Sequence, residues 1–277
     1  MRFFQIDLKE KYEFLGEADR SPTLTAYLPR NIIEMGRENQ KRPCIVVCPG
    51  GGYANCSERE AEPVALKFLN WGFNAFVLRY SCAPHRYPVQ LREVAAAFEE
   101  IYKNADEWHC DTNKIGIIGF SAGGHLTAHY SNAYNCDEVR SVFPNSKKPN
   151  FSVLCYPVIS ADETFAHKGS FVNLLSKYPQ GTDVRKYSCD KMVTPNTPPT
   201  FIWQTTTDQA VPVKNSLVYA TALADNKVPF SLHIYPYGVH GLSTCDHLTN
   251  DQEKLDSKTL LAKAWLDDLK KWIDKTI

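Results

Sequence analysis

The stretch Lys114-Ile115-Gly116-Ile117-Ile118-Gly119-Phe120-Ser121-Ala122-Gly123, followed by Gly124-His125-Leu126-Thr127-Ala128-His129-Tyr130, decides the fold. An apolar run leads into a glycine-bounded turn that carries a serine, and residues with helical character follow. Strand, tight turn and helix are the context that a G-x-S-x-G nucleophile elbow requires. Such a turn strains the serine backbone and tolerates only small neighbours, which Gly119, Ala122 and Gly123 supply. Ser121 would then project its hydroxyl from the top of a sheet, beside a helix N-terminus that favours negative charge. The same five-residue pattern also arises in ordinary glycine-rich loops, so the rest of the chain has to supply the context.

Working outward, Thr23 to Leu28 alternates as a strand does. Cys44 to Cys48 is a short continuous apolar run that suits a strand buried on both faces, as do Phe73 to Leu78, Phe151 to Tyr156 and Thr200 to Thr205. Phe230 to Tyr235 reads as a further strand. Helical spacing runs from Glu60 to Asn70, from Leu91 to Tyr102 and from Val213 to Ala224. A long amphipathic helix closes the chain, carried by Leu255, Leu260, Leu261, Trp265, Leu266, Leu269, Trp272 and Ile273. Strand–helix alternation of this kind predicts an α/β fold: one domain over 1–277, with a mostly parallel sheet and helices on both faces. Residues 160–197 break the rhythm, being too long for an ordinary connection. They mix Phe165, Phe171, Tyr178 and Tyr187 with Lys168, Lys177, Arg185 and Lys186. Their place at the carboxyl side of the sheet reads as a small cap over the site; a solvent-facing excursion without a role is the alternative.

At 277 residues the chain can bury a sizeable core. Its 31 basic and 31 acidic residues balance, and no basic stripe supports a nucleic-acid partner. No apolar run approaches the roughly 18 residues needed to span a bilayer, so no membrane partner is expected. The start, Met1 to Asp7, acquires charge almost at once and lacks a signal-peptide core. Nine scattered cysteines, odd in number and without a C-x-x-C pair, fit a reducing compartment. Cys44, Cys48 and Cys155 read as small core residues. A cytoplasmic protein is expected.

A serine hydroxyl is a poor nucleophile at neutral pH and needs a base, itself oriented by an acid. On such a sheet the partners follow in the order serine, acid, histidine. Asp208, just after the strand Phe201 to Thr205, suits the acid, although a loop or helix-capping aspartate looks the same. His240, in Tyr237-Gly238-Val239-His240-Gly241, suits the base better than His233, which a strand would hold in the sheet, or His247 in a polar stretch. Pro49-Gly50-Gly51-Gly52-Tyr53 can turn backbone N–H groups toward an oxyanion; Gly51 or Gly52 would give one donor and Ala122 the other. A phosphate-cradling role is weak, since neither G-K-[ST] nor G-x-G-x-x-G spacing is present. Tyr53 is a candidate to line the acyl or alcohol pocket, with a packed core tyrosine as the other reading. His125 and His129 stand four apart, but without an obvious third ligand they read as packing or surface residues rather than a metal site.

With these residues assembled, the chain resembles the α/β-hydrolase superfamily, and more narrowly the small esterases grouped with acetyl-xylan esterases, dienelactone-hydrolase-like proteins and hormone-sensitive-lipase-like carboxylesterases. The matching segments are Cys48 to Tyr53, Leu78-Arg79-Tyr80, Gly119 to Leu126, Tyr156-Pro157, Pro198 to Phe201, Asp208 with Val211-Pro212, and Gly238 to Gly241. The resemblance implies a Ser121–Asp208–His240 triad, an oxyanion hole from Gly51, Gly52 and Ala122, and no cofactor. Pro49 stands where hormone-sensitive-lipase relatives usually carry histidine, which favours the acetyl-xylan-esterase-like group. Serine in place of the cysteine of dienelactone hydrolases speaks against lactone opening. The expected activity is hydrolysis of short-chain acyl esters, acetyl esters of sugars included, with a small-molecule ester as partner. Such proteins often dimerise, which admits a homodimer. Amide cleavage by the same residues, as in arylformamidases or small peptidases, and a binding-only protein on the same fold are the alternatives.

Overall fold

Apolar runs with no polar face are stable where helices cover both sides of a sheet, and the central strands of this chain are such runs. In the computed structural model, which describes residues 1–12, 22–251, 253 and 255–277, these are β3 (Arg42–Cys48), β4 (Asn74–Arg79) and β5 (Cys110–Phe120). The sheet continues on one side through β6 (Phe151–Cys155), β7 (Thr200–Thr205) and β8 (Phe230–Tyr235), and on the other through β2 (Thr23–Leu28) to β1 (Arg2–Asp7). The spatial order is β1-β2-β4-β3-β5-β6-β7-β8. Pairing from β4 to β8 is parallel, while β1 with β2 and β2 with β4 are antiparallel. The mostly parallel sheet is therefore as the sequence leads one to expect. The edge strand β1 is an addition to that reading.

Helices occupy both faces, and the two-residue period of the strands sorts which side chains meet which helix. On one face Val46, Phe76 and Ile117 pack against Leu91, Val94 and Phe98 of α3 (Val89–Lys103) and Leu126 and Tyr130 of α4 (Ala122–Ala133). Further along that face Leu154 and Ile202 meet Tyr219 and Leu223 of α8 (Lys214–Asp225). On the opposite face Ile45, Val47, Val77 and Ile118 meet Val64 and Phe68 of α2 (Glu62–Asn70), together with Trp265, Leu269 and Ile273 of α9 (Trp265–Thr276). Short helices α1 (Leu8–Lys11) and α5 (Asp137–Arg140) complete this set. None of the described helices is long and apolar enough to cross a membrane.

Two expected helices differ at their ends. The α2 stretch starts at Glu62 rather than Glu60, because Pro63 is best placed in a first helical turn, and Glu58–Glu60 forms a separate 3₁₀ turn. The closing helix starts only at Trp265. Thr259–Ala264 before it is 3₁₀, whose three-residue turn breaks the stripe that a 3.6 period would give, and Leu260 and Leu261 face solvent.

The long excursion 160–197 folds into α6 (Lys168–Leu175), α7 (Asp183–Tyr187) and a 3₁₀ turn at Cys189–Lys191. Its mixed composition resolves by position. Phe165 and Phe171 are buried, the latter in a small cluster with Val158, Ala161 and Val211, while Lys168, Lys177, Arg185 and Lys186 are exposed.

Glu93 on α3 is fully buried and accepts hydrogen bonds from the backbone N–H of Ser81 (2.7 Å) and from the Ser81 hydroxyl. Burial pushes its carboxyl up to about 8, against the opposing pull of the Ser81 bonds. A carboxyl raised in the folded state contributes stability that is complete below its unfolded pKa, about 4.5, and is lost as pH rises through about 8. The wild-type urea midpoint should therefore fall between pH 5 and pH 9, and Glu93→Gln should flatten that fall; an equally steep fall in the variant would refute the assignment.

Candidate active site

Ser121 occupies the turn between β5 and α4 with φ 52° and ψ −118°, a region that residues with a Cβ rarely enter. Three backbone bonds hold it there. Its N–H donates to the Cys155 carbonyl (3.0 Å), and its carbonyl accepts from His125 N–H (3.1 Å) and Val158 N–H (3.0 Å). Small neighbours are a steric necessity: a Cβ built on Gly123 would lie 2.2 Å from the Cys48 carbonyl oxygen and 2.3 Å from that of Pro49. The first turn of α4 thus rests directly on the end of β3.

The expected acid and base arrive on the loops after β7 and β8. His240 Nε2 lies 2.8 Å from Ser121 Oγ, and His240 Nδ1 lies 2.7 Å from Asp208 Oδ2. The other carboxylate oxygen of Asp208 accepts from the N–H groups of Ala210 (2.9 Å) and Val211 (3.0 Å), which fixes the side chain. Asp208 and Ser121 are buried, and His240 is about three-quarters buried, with 23% of its side chain exposed. The two loops are clipped together at Gly238, whose carbonyl accepts from the hydroxyls of Thr205 (2.8 Å) and Thr207 (3.0 Å) and whose N–H donates to Thr207 Oγ1 (2.9 Å). His233 instead contacts Ser231 and Asp268, and His247 is exposed.

The glycine loop stands beside Ser121. Gly50 N–H donates to Glu60 Oε2 (2.8 Å), so it is taken. The N–H groups of Gly51 and Gly52 have no protein partner among the described residues. Ala122 is the first residue of α4, so its N–H has no intrahelical acceptor. Gly51 has φ 124°, and a Cβ there would sit 2.2 Å from the Asn55 carbonyl oxygen. The geometry therefore leaves the three expected donors free.

Tyr53 is corrected by the structure. Its side chain is 1% exposed, and its hydroxyl pairs with His125 Nδ1 at 2.9 Å. It is a packed core tyrosine rather than part of a pocket wall. His125 Nε2 contacts the Tyr187 carbonyl at 2.9 Å, so both of its ring nitrogens are occupied. Burial lowers it to about 4, and His129, stacked on Tyr87, to about 3. Both therefore pack as neutral rings, one of the readings that the sequence left open.

Glu60 is a part of the site that the motifs do not single out. It sits in the charged run Glu58-Arg59-Glu60-Ala61-Glu62, yet it is only 3% exposed. Besides Gly50 it accepts from the Tyr156 hydroxyl (2.6 Å), which in turn accepts from Ser243 N–H (2.9 Å). The Tyr156 ring meets the His240 ring edge-to-face at 5.0 Å. Burial raises the Glu60 carboxyl above the ordinary range, opposed by these hydrogen bonds and by His240. Only the interleaving of Glu60 with Val64 and Phe68, one and two turns on, hinted at an inward face.

Residues 31–223 match the family model described as BD-FAE. The chain belongs to the BD-FAE family. Among curated relatives, the chain is 38% identical over 255 residues to endo-1,4-beta-xylanase B of Butyrivibrio fibrisolvens, covering 88% of this chain and 38% of that one. It is 36% identical over 242 residues to an acetylxylan esterase of Xylanibacter ruminicola, covering 86% and 47%. The chain thus spans less than half the length of these two curated relatives. The chain is also similar in structure to an acetyl ester-xyloside bifunctional hydrolase from Caldicellulosiruptor lactoaceticus, with TM-score 0.83, 37% identity and coverage of 98% of this chain and 96% of that one. This BD-FAE chain has the α/β-hydrolase fold.

Because the α4–β3 contact is backbone against backbone, Gly123→Ala cannot be absorbed by a side-chain rotation. It should cost about 1–3 kcal/mol or more, as overpacking does, read as a lower urea midpoint. An unchanged midpoint would show that this approach is looser than described.

Proposed function

We propose that the chain is a serine esterase that hydrolyses short acyl esters, foremost acetyl esters of sugars, through an acyl-enzyme. The observation that carries this reading is the continuous relay from Ser121 Oγ through His240 to Asp208, beside three free backbone donors. On this reading Ser121 attacks the ester carbonyl while His240 Nε2 takes its proton. Asp208 holds the Nδ1–H tautomer and stabilises the imidazolium that forms. The oxyanion is received by N–H groups of Gly51 or Gly52 and of Ala122, each such donor being worth about 3 kcal/mol in related chemistry. His240 then protonates the leaving alcohol, and water delivered by the same base releases the acid. No cofactor enters any step.

Names of relatives support an ester rather than a glycoside. An acetylxylan esterase and an acetyl ester-xyloside hydrolase are among them, and so is a xylanase of which this chain spans 38%. Glycosidases commonly need two carboxyl groups flanking the scissile bond. The two buried carboxylates described around Ser121 are otherwise engaged, Asp208 with His240 and Glu60 with Tyr156 and Gly50. The segment 160–197 fits a partial cap, since α6 touches the glycine loop through Asn173 Nδ2, which donates to the Gly52 carbonyl at 2.9 Å.

Ser121→Ala should abolish both acetyl-ester hydrolysis and labelling by a fluorophosphonate. Asp208→Asn, which imposes the wrong tautomer, should lower kcat roughly 10⁴-fold. The wild type should turn over acetyl esters faster than N-formyl or dipeptidyl amides. Retained hydrolysis in Ser121→Ala, or a preference for the amides, would overturn the proposal.

A further inference from the structure

A second histidine stands at the mouth of this site, and the relay makes no use of it. His167 caps the N-terminus of α6: its Nδ1 accepts from Ser170 N–H (3.3 Å) and lies 2.8 Å from Ser170 Oγ. A ring nitrogen that accepts a backbone N–H carries no proton, so in the neutral ring the proton sits on Nε2. Nε2 has no protein partner among the described residues. The Cε1 corner of the ring, between the two nitrogens, stands beside the glycine loop: the atom nearest to a Cβ built on Gly52 is His167 Cε1, at 3.9 Å, next to Ser170 Oγ at 4.0 Å. The bond from Asn173 to the Gly52 carbonyl fixes α6 against that loop. His167 also lies within the electrostatic reach of His240 and Asp208, and its partial burial, the larger cause, lowers its basicity so that it stays neutral.

We infer that His167 determines specificity by donating its Nε2–H to an uncharged hydroxyl or ether oxygen on the alcohol part of the ester. This assignment rests on the esterase reading above. The chemistry restricts the partner. An acetyl group has no polar atom beyond its carbonyl oxygen, and that oxygen goes to the backbone donors. A further donor beside Gly52 therefore serves the leaving group. A neutral imidazole gains nothing special from a carboxylate or phosphate, which suits the hydroxyl-rich face of a sugar.

The test separates donation from helix capping. Asparagine is a good N-cap and keeps an acceptor for Ser170 N–H, but it lacks the reach and the donor of Nε2; alanine loses both. For wild type, His167→Asn and His167→Ala, kcat/KM is measured on a mono-O-acetylated methyl xyloside and on phenyl acetate, whose leaving group carries no second oxygen. The xyloside-to-phenyl-acetate ratio should fall at least fivefold in both variants, mostly through KM. A smaller fall in His167→Asn, whether or not His167→Ala is impaired, reduces His167 to a helix cap and overturns the inference while leaving the esterase reading intact. A wild type that hydrolyses neither ester overturns both.

Discussion

The left-handed backbone of Ser121 is the constraint on which the site depends. A residue with a Cβ held at φ 52° costs of order 1–3 kcal/mol, and its surroundings must over-determine it. They do so from the two strands that flank β5. The Cys155 carbonyl at the end of β6 accepts the Ser121 N–H, α4 begins immediately and leans on the end of β3 through Gly123, and the chain after β6 returns Val158 N–H to the Ser121 carbonyl. Each contact lies at the carboxyl edge of the parallel sheet. The hydroxyl is therefore placed by backbone geometry rather than by side-chain packing, which leaves it free to meet His240.

The partners of Ser121 are fixed by a different means. Asp208 and His240 come from neighbouring loops, and loops by themselves position side chains poorly. Here the Asp208 loop is tightened by its own carboxylate, which accepts from Ala210 and Val211, and the His240 loop is tied to it through Gly238 and the hydroxyls of Thr205 and Thr207. Register between β7 and β8, with Thr205 opposite Tyr235, sets where the two loops start. The relay distances of 2.7 and 2.8 Å follow from these ties.

What was legible in the sequence follows from which features have a local signature. The central strands are continuous apolar runs, and the elbow and the glycine loop are read from residues adjacent in sequence. Asp208 and His240 could be found because chain order on this kind of sheet is restrictive. Edge strand β1 lacks a clear buried face: half of its residues are exposed, and only Ile6 is buried. The closing helix was overextended because Leu260 and Leu261 keep helical spacing although their backbone is 3₁₀. Tyr53 was ambiguous because a tyrosine after a glycine loop can turn either way, and the direction is set by His125, 72 residues later. Glu60 has no local signature for a similar reason, since its partner Tyr156 lies 96 residues on, and the place of His167 beside Gly52 likewise depends on contacts remote in the chain.

Glu60 shows how the second layer of the site handles charge. On the proposed reading, a carboxylate beside the glycine loop would oppose the negative charge that develops there. This one is directed away from that role: one oxygen takes the Gly50 N–H, the donor adjacent to the free ones, and the other takes the Tyr156 hydroxyl. Burial further raises its proton affinity, which moderates the charge it can carry. What charge remains lies toward Tyr156, whose ring walls His240. The same two hydrogen bonds also join the glycine loop to the wall behind His240, so the loop and the histidine share one buried anchor.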